Sequence, residues 1–381
     1  MPNPRDFYAA NAIRTSQDIL KLSQLRDIDV WARLKLAAGG YADDFLKARA
    51  REFYLQLAHD KSGKNLYQQQ ISSTHTKTAE TILADLTNFI DISPWQDIQI
   101  PFFLIEFYFE LSSSVITRDE ASHYPIENPI RKDYALKLPI IGSSGWKGLL
   151  RNAFLFACLF ANWKKYNKKQ DAASKDSYLY SRWQMLRLFG SEKEAAPTQK
   201  LHASLEENAA GFKDIFIKKF TKSGEQPPGE IPNTAGCLYT YPTIFNNLEV
   251  ELINPHDSIR RVGTQPIHLE MIPAGSIGLF RLFYLQNRPV MVRGEDPNDA
   301  AKKDLEAMLR TIQALFLELG ISAKRTSGHG SIKKEFVKQR GRIVDNFVLP
   351  LSDGKRNIQE KQLQTLTDLE NVFSEGGVNH E

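Results

Sequence analysis

Two short segments carry the residue types from which an anion site can be built. The first, residues 126–151, brings together Asn128, Arg131, Lys132 and Asp133, then Gly142, Ser143 and Ser144, then Trp146, Lys147 and Arg151. Its order reads as a loop feeding the N-terminus of a helix, with Ser143 or Ser144 as the cap. The first N–H groups of a helix have no partner within it, and the aligned peptide dipoles make that end positive. Two hydroxyls and Lys147 add to what such an end already offers a phosphate. Lys147 and Arg151 lie four residues apart and share a helix face, so two cations can follow successive phosphates of one strand. Six Lys or Arg and no Asp or Glu fall between residues 147 and 169, a bias larger than solvation of a helix requires. Trp146 has two uses at a helix start: packing into a core, or stacking on a base or ribose.

The second segment is ISAKRTSGHGSIKK, residues 321–334. Gly328 and Gly330 permit a close backbone approach, Ser327 adds a hydroxyl, and Lys324, Arg325, Lys333 and Lys334 supply charge. It is no P-loop, since neither GxxxxGKS nor GxxxxGKT occurs in the chain. His329 sits between the two glycines, where a loop histidine is more often a bystander than a proton-transfer group. Arg260 and Arg261, ahead of a strand, are further cations for the same groove.

The elements that must position these segments follow from hydrophobic periodicity. Helical spacing runs through residues 19–36, 45–57 and 79–90, giving an accessory helical region over 1–98. In IPFFLIEFYFELSS the period changes to two, marking a half-buried strand. A loop kept extended by Pro125, Pro129 and Pro139 leads to a helix expected to end near Lys165. Residues 191–235, with QPPGEIP, read as a mobile insertion. IPAGSIGLFRLFYLQ (272–286) is a second strong strand, and 299–319 an amphipathic helix closed by Gly320. Residues 343–381 read as a polar tail with some helical pattern. Strand, helix, insertions, strand, helix, glycine-containing loop, strand is an α+β order that fits a ferredoxin-like core with elaborations.

Composition bounds the rest. With 42% hydrophobic and 25% charged residues, the chain is globular rather than collagen-like or wholly disordered. The net charge of +4 permits nucleic acid as a partner without demanding it. Cys158 and Cys237 are too few for a cysteine zinc site or a disulfide framework and read as buried thiols of a reducing cytoplasm. The start, MPNPRDFYAANAIR, lacks the apolar run of a signal peptide, and no stretch is long enough to cross a bilayer. The expectation is a soluble, cytoplasmic protein.

Five motifs in one order carry a family resemblance. LPIIGSSGWKGLLR resembles the signature of the RAMP superfamily of CRISPR-associated proteins, and IENPIRKD is similar to the stretch preceding it in the backbone subunit of type III interference complexes. LFGSE, MIPAGSIGLFRLFYL and KRTSGHGSIK resemble three further family elements, so the likeness covers about residues 100–341. It departs at Ile141, where proline is usual, and at Gly145-Trp146, where one hydrophobic residue precedes the lysine.

The resemblance implies a ferredoxin-like (RRM-like) RAMP core over 99–342, with an N-terminal helical region and inserted segments. It implies a subunit that binds guide RNA alongside other CRISPR effector subunits while base pairing reads a complementary target RNA. The RNA-binding set would be Asn128, Arg131, Gly142, Ser143, Ser144, Trp146, Lys147, Arg151, Arg260, Arg261, Lys324, Arg325, Ser327, Gly328, His329 and Gly330. An alternative is a catalytic backbone subunit that cleaves target RNA. The family's loop acid then falls on Glu127, a methylene longer than the usual Asp, with Asp119, Glu120 and Asp133 as other acids and His123 as a proton-transfer aid. Binding would need no cofactor; Mg²⁺ or Mn²⁺ would enter only with cleavage. A guide-processing enzyme is disfavoured, because His59, His75, His202, His256 and His268 form no cluster.

Overall fold

The computed structural model describes residues 51, 54–55, 86–117, 126, 128–190, 235–253, 267–287, 295–348 and 357–372. Most of the accessory region 1–98 and of the insertion 191–235 thus lies outside the described residues. The main sheet has five strands in the order β3 (Leu238–Thr240), β7 (Ile277–Leu285), β1 (Phe102–Glu110), β8 (Gly341–Val348), β9 (Asn357–Leu363). Every pairing in it is antiparallel. Two small ladders stand beside it, β2 (Ile140–Ile141) with β4 (Thr243–Ile244), and β5 (Glu249–Ile253) with β6 (Ile267–Met271).

The alternation in β1 sends Phe103, Ile105, Phe107 and Phe109 to one face, where they enter the main core. Phe107 stacks on Phe280 of β7 at 4.9 Å and meets Phe316 at 5.2 Å and Phe336 at 4.5 Å. The opposite face was expected to be open, and it is not. Phe102, Leu104 and Val344 are buried there beneath Ile90, Ile92, Trp95 and Ile98, because residues 86–98 cross that face. Phe89 stacks on Tyr108 at 5.1 Å, and the Tyr108 hydroxyl donates to the Thr87 carbonyl.

Charge fastens this cover. Glu106, fully buried, lies opposite Arg281 of β7 and Arg342 of β8 in one row across three strands. Its Oε1 accepts from Arg281 Nε at 2.5 Å, and its Oε2 accepts from Arg342 Nε at 3.0 Å and Nη2 at 2.7 Å. The guanidinium groups also donate to the carbonyls of Asn88 and Ile90, and the Ile90 N–H donates back to Glu106. Ion pair and cover therefore form together.

Helices line the first face. α1 (Ser143–Phe154) runs through a π-helical stretch, Leu155–Phe160, into α2 (Ala161–Lys169), so the helix predicted to end near Lys165 continues to Lys169. α3 (Ala172–Phe189), capped by Asp171 through the Ser174 N–H, and α4 (Pro297–Ala314), capped by Asp296, complete the layer. The expected helix 299–319 is α4 followed by a π-helical stretch, Leu315–Leu319, with Gly320 after it. Arg187 of α3 bonds Asp304 of α4 through Nε and Nη2, each at 2.6 Å, and the Tyr284 hydroxyl of β7 donates to the same carboxylate at 2.9 Å.

The polar tail is a correction. Residues 341–348 and 357–363 are strands of the main sheet, α5 (Asp368–Asn371) follows, and Leu363, Leu366 and Leu369 belong to the core. β9 is an edge strand, and polar side chains suit an edge that must not pair further; its composition hides it.

Glu106→Gln should leave Arg281 and Arg342 buried without a carboxylate and cost about 3–5 kcal/mol. Urea unfolding monitored by far-ultraviolet dichroism measures this; a change within 1 kcal/mol would show that the row does not hold the cover.

Candidate nucleic-acid interface

Trp146 decides how α1 begins. It is fully buried, parallel to Phe316 at 5.8 Å and edge-on to Phe280 at 5.0 Å and Phe109 at 6.2 Å. Its indole N–H donates to Thr243 Oγ1 at 3.0 Å, whose hydroxyl donates to the Leu279 carbonyl. Base stacking by Trp146 is thereby ruled out; the ring anchors the first helical turn to β1, β4, β7 and the π-helical stretch after α4. With that side pinned inward, Ser143, Ser144 and Gly145 face solvent and Lys147 is half-exposed.

The cap is Gly142, not a serine, and no side chain caps this end or places an acid in its first turn. A Cβ on Gly142 would stand 3.3 Å from Arg131 Cζ, so the glycine lets the guanidinium lie over the helix start. Arg131 is exposed, and among the described residues no carboxylate pairs with it. Its main chain is held at both ends, the N–H donating to Thr117 Oγ1 at 3.2 Å and the C=O accepting from the Ile140 N–H at 3.0 Å. Unpartnered N–H groups, two hydroxyls and two cations stand at this end, a combination chemically suited to an anion.

The glycine-rich loop reaches the same end of the sheet. Leu111, just past β1, bridges to Ile332, and the Gly330 N–H donates to the Ser114 carbonyl. Gly330 (φ 88°) is buried, and a Cβ there would come within 2.5 Å of Ser322. Its close approach is thus to the chain itself rather than to a ligand, whereas Gly328 (φ 87°) faces open space. His329 Nδ1 lies 2.9 Å from Ser114 Oγ, which ties the loop to the strand exit. Lys324, Arg325 and Ser327 are exposed, with an Arg325 Nη1 donating to the Leu319 carbonyl. Lys333 is paired with Glu110 at 2.7 Å and adds little free charge.

The basic run divides. Lys147 lies one turn into α1 and the half-buried Arg151 in its last turn, while Lys164, Lys165, Lys168 and Lys169 are exposed at the far end of a rod about 40 Å long. The distant four complement the negative end of α2, where cations are favourable without any ligand.

Sequence reasoning missed Glu270. Buried on β6, it accepts from the Ile130 N–H at 2.8 Å, from Lys132 Nζ and from the Tyr54 hydroxyl, while its own N–H donates to the Asn128 carbonyl at 3.0 Å. It fixes the strand of chain that carries Asn128 and Arg131. A lone acid at an inward position of IHLEM was the available signal. The Asp133 carboxylate accepts from the Ala135 and Leu136 N–H groups and shapes a turn. Asp119, Glu120, His123, Glu127, Arg260 and Arg261 lie outside the described residues.

Among the described residues no three His, Cys, Asp or Glu are grouped to hold a metal ion, and no helix is long and apolar enough to cross a membrane. Cys158 and Cys237 are buried, and burial pushes the Cys158 thiol up against the opposing hydrogen bond from Thr311. A groove of about 700 Å³ between α2, α3 and α4, lined by Lys165, Trp183, Lys303 and Arg310 among others, shares no residue with this interface.

The sequence model of the RAMP superfamily matches residues 71–333. No curated protein matches the chain. Among solved structures, the chain is similar to one in the cryo-EM structure of the Type III-B Cmr-beta bound to cognate target RNA, at 11% identity and TM-score 0.40 over 91% of this chain and 98% of that one. It is also similar to a chain in the crystal structure of the Csm3-Csm4 subcomplex of the type III-A CRISPR-Cas interference complex, at 12% identity and TM-score 0.32 over 74% of this chain and 100% of that one. A third likeness is to a chain of a CRISPR RNA-guided surveillance complex, at 13% identity and TM-score 0.34 over 66% and 72%.

Because Trp146 anchors rather than stacks, Trp146→Ala should lower stability by about 3–5 kcal/mol. Trp146→Phe, which keeps one aromatic ring but loses part of the indole volume and the bond to Thr243, should cost less, about 1–3 kcal/mol. Thermal unfolding of the two variants checks the ordering.

Proposed function

The chain belongs to the RAMP superfamily, and from that premise we propose that it is a guide-RNA-binding subunit of a type III CRISPR interference ribonucleoprotein, gripping the RNA backbone without reading its sequence. The carrying observation is the start of α1: an end capped by no side chain, Ser143 and Ser144 exposed, Arg131 over Gly142, and Lys147 one turn on. Each of these groups can hold phosphate or ribose, which carry no sequence information. Lys324, Arg325, Ser327 and Gly328 extend the positive surface at the same end of the sheet. Phosphate contacts of this kind need no metal ion, and the complementary target RNA is read by pairing with the guide.

The order β3-β7-β1-β8, with α1 and α4 as crossovers, supports a ferredoxin-like core. An RRM built on such a core stacks bases on its open sheet face. That face lies under residues 86–98 here, which favours the loops and the helix start as the route for RNA. Other subunits of a cytoplasmic complex are the remaining partners.

Arg131→Glu with Lys147→Glu should weaken binding of a single-stranded guide RNA more than tenfold at 0.1 M salt. The log–log salt slope should flatten by about 1.4, two lost phosphate contacts. Lys168→Glu with Lys169→Glu, at the far end of the rod, should have a much smaller effect. Fluorescence anisotropy across a salt series separates the pairs, and equal losses from both would reject this interface.

A further inference from the structure

Beside the helix start the chain makes a small hairpin that the phosphate contacts do not use. Lys132 bridges to Pro139, and the Asp133 N–H donates to the Leu138 carbonyl at 2.8 Å. The Lys137 N–H returns to the Asp133 carbonyl at 2.9 Å, with Lys137 in the left-handed region at φ 56°. The Asp133 carboxylate closes the turn from inside through the Ala135 and Leu136 N–H groups, and Leu138 is buried in the core. On this rigid tip Tyr134 is 86% exposed, the most exposed of the large hydrophobic side chains described. Lys137 Nζ lies 4.2 Å from its ring centroid.

A single exposed aromatic is ordinarily unremarkable. This one is held on a turn with four internal hydrogen bonds, carries a cation on one ring face, and is three residues from Arg131. At most about 11 Å of chain separates the two. A ring face beside a phosphate-gripping cation is the arrangement that binds single strands irrespective of sequence, since every base has a π-face.

We infer that Tyr134 is a stacking post for a nucleobase of the RNA strand whose phosphates lie at Arg131 and the start of α1; this rests on the RNA-binding reading above. Lys137 supports the ring electrostatically, and the occupant is a base of single-stranded nucleic acid rather than a protein side chain.

The test uses the full chain with a single-stranded oligoribonucleotide and an abasic ribose-phosphate oligomer of equal length, by anisotropy at fixed salt. Wild type should prefer the base-bearing strand. Tyr134→Ala should weaken that binding about tenfold and leave the abasic affinity unchanged, while Tyr134→Trp retains the preference. An unaltered preference in Tyr134→Ala overturns the inference and leaves the phosphate grip standing, also if that variant fails only in assembly with a neighbouring subunit. Equal weakening of both strands overturns it as well. Wild type binding neither oligomer removes the phosphate grip, and the stacking post with it.

Discussion

One carboxylate shared by two guanidinium groups decides which surfaces of this molecule are available. Glu106 stands in the middle of the central strand, and inside a closed face removing it would strand two buried guanidinium groups, which makes the row costly to break. The closing layer is the chain segment whose carbonyls the same guanidinium groups bind. Closure excludes water from the row, and the row holds the closure in place. A sheet face that could have been a platform is closed, which leaves the end of the sheet, where loops and a helix start meet, as the exposed polar surface.

That end is organised by an aromatic cluster rather than by polar contacts. Phe316, Phe280 and Phe109 surround the Trp146 ring, so the first turn of α1, the π-helical stretch after α4, the end of β1 and the first half of β7 share one anchor. Everything on the outer side of that anchor is small or basic. Glycine at the cap leaves room for Arg131 to lie close over the helix start, and the buried Glu270 fixes the chain that delivers it.

The sequence made the strands at 102–110 and 277–285, the helix from 143 and the helix ending at Gly320 legible, because their periodicity is set by burial that is local to each element. It also placed Ser143, Ser144 and Lys147 together at a helix start, which is where they lie. Other features depended on partners distant in the chain. β1 looked half-exposed because Glu106 and Tyr108 are polar, and only Arg281, Arg342 and residues 86–98 make that face an interior. β9 looked like a tail because an edge strand tolerates NIQEKQL. Trp146 is ambiguous until Thr243 is seen to receive its indole N–H. The length of the basic run concealed that its two ends are separated by the whole rod, and Tyr134 gave no periodic signal at all.

The strand order has a temporal consequence. β1 must wait for β7 on one side and β8 on the other, so Phe107 finds its neighbours only at residues 280 and 341. Long waits between partners slow folding. During synthesis the aromatic strand leaves the ribosome well before either flank exists, and its apolar side chains need shelter until then. The sheet's end, where the start of α1 meets the glycine-rich loop, is consequently completed late, once nearly the whole polypeptide has been made.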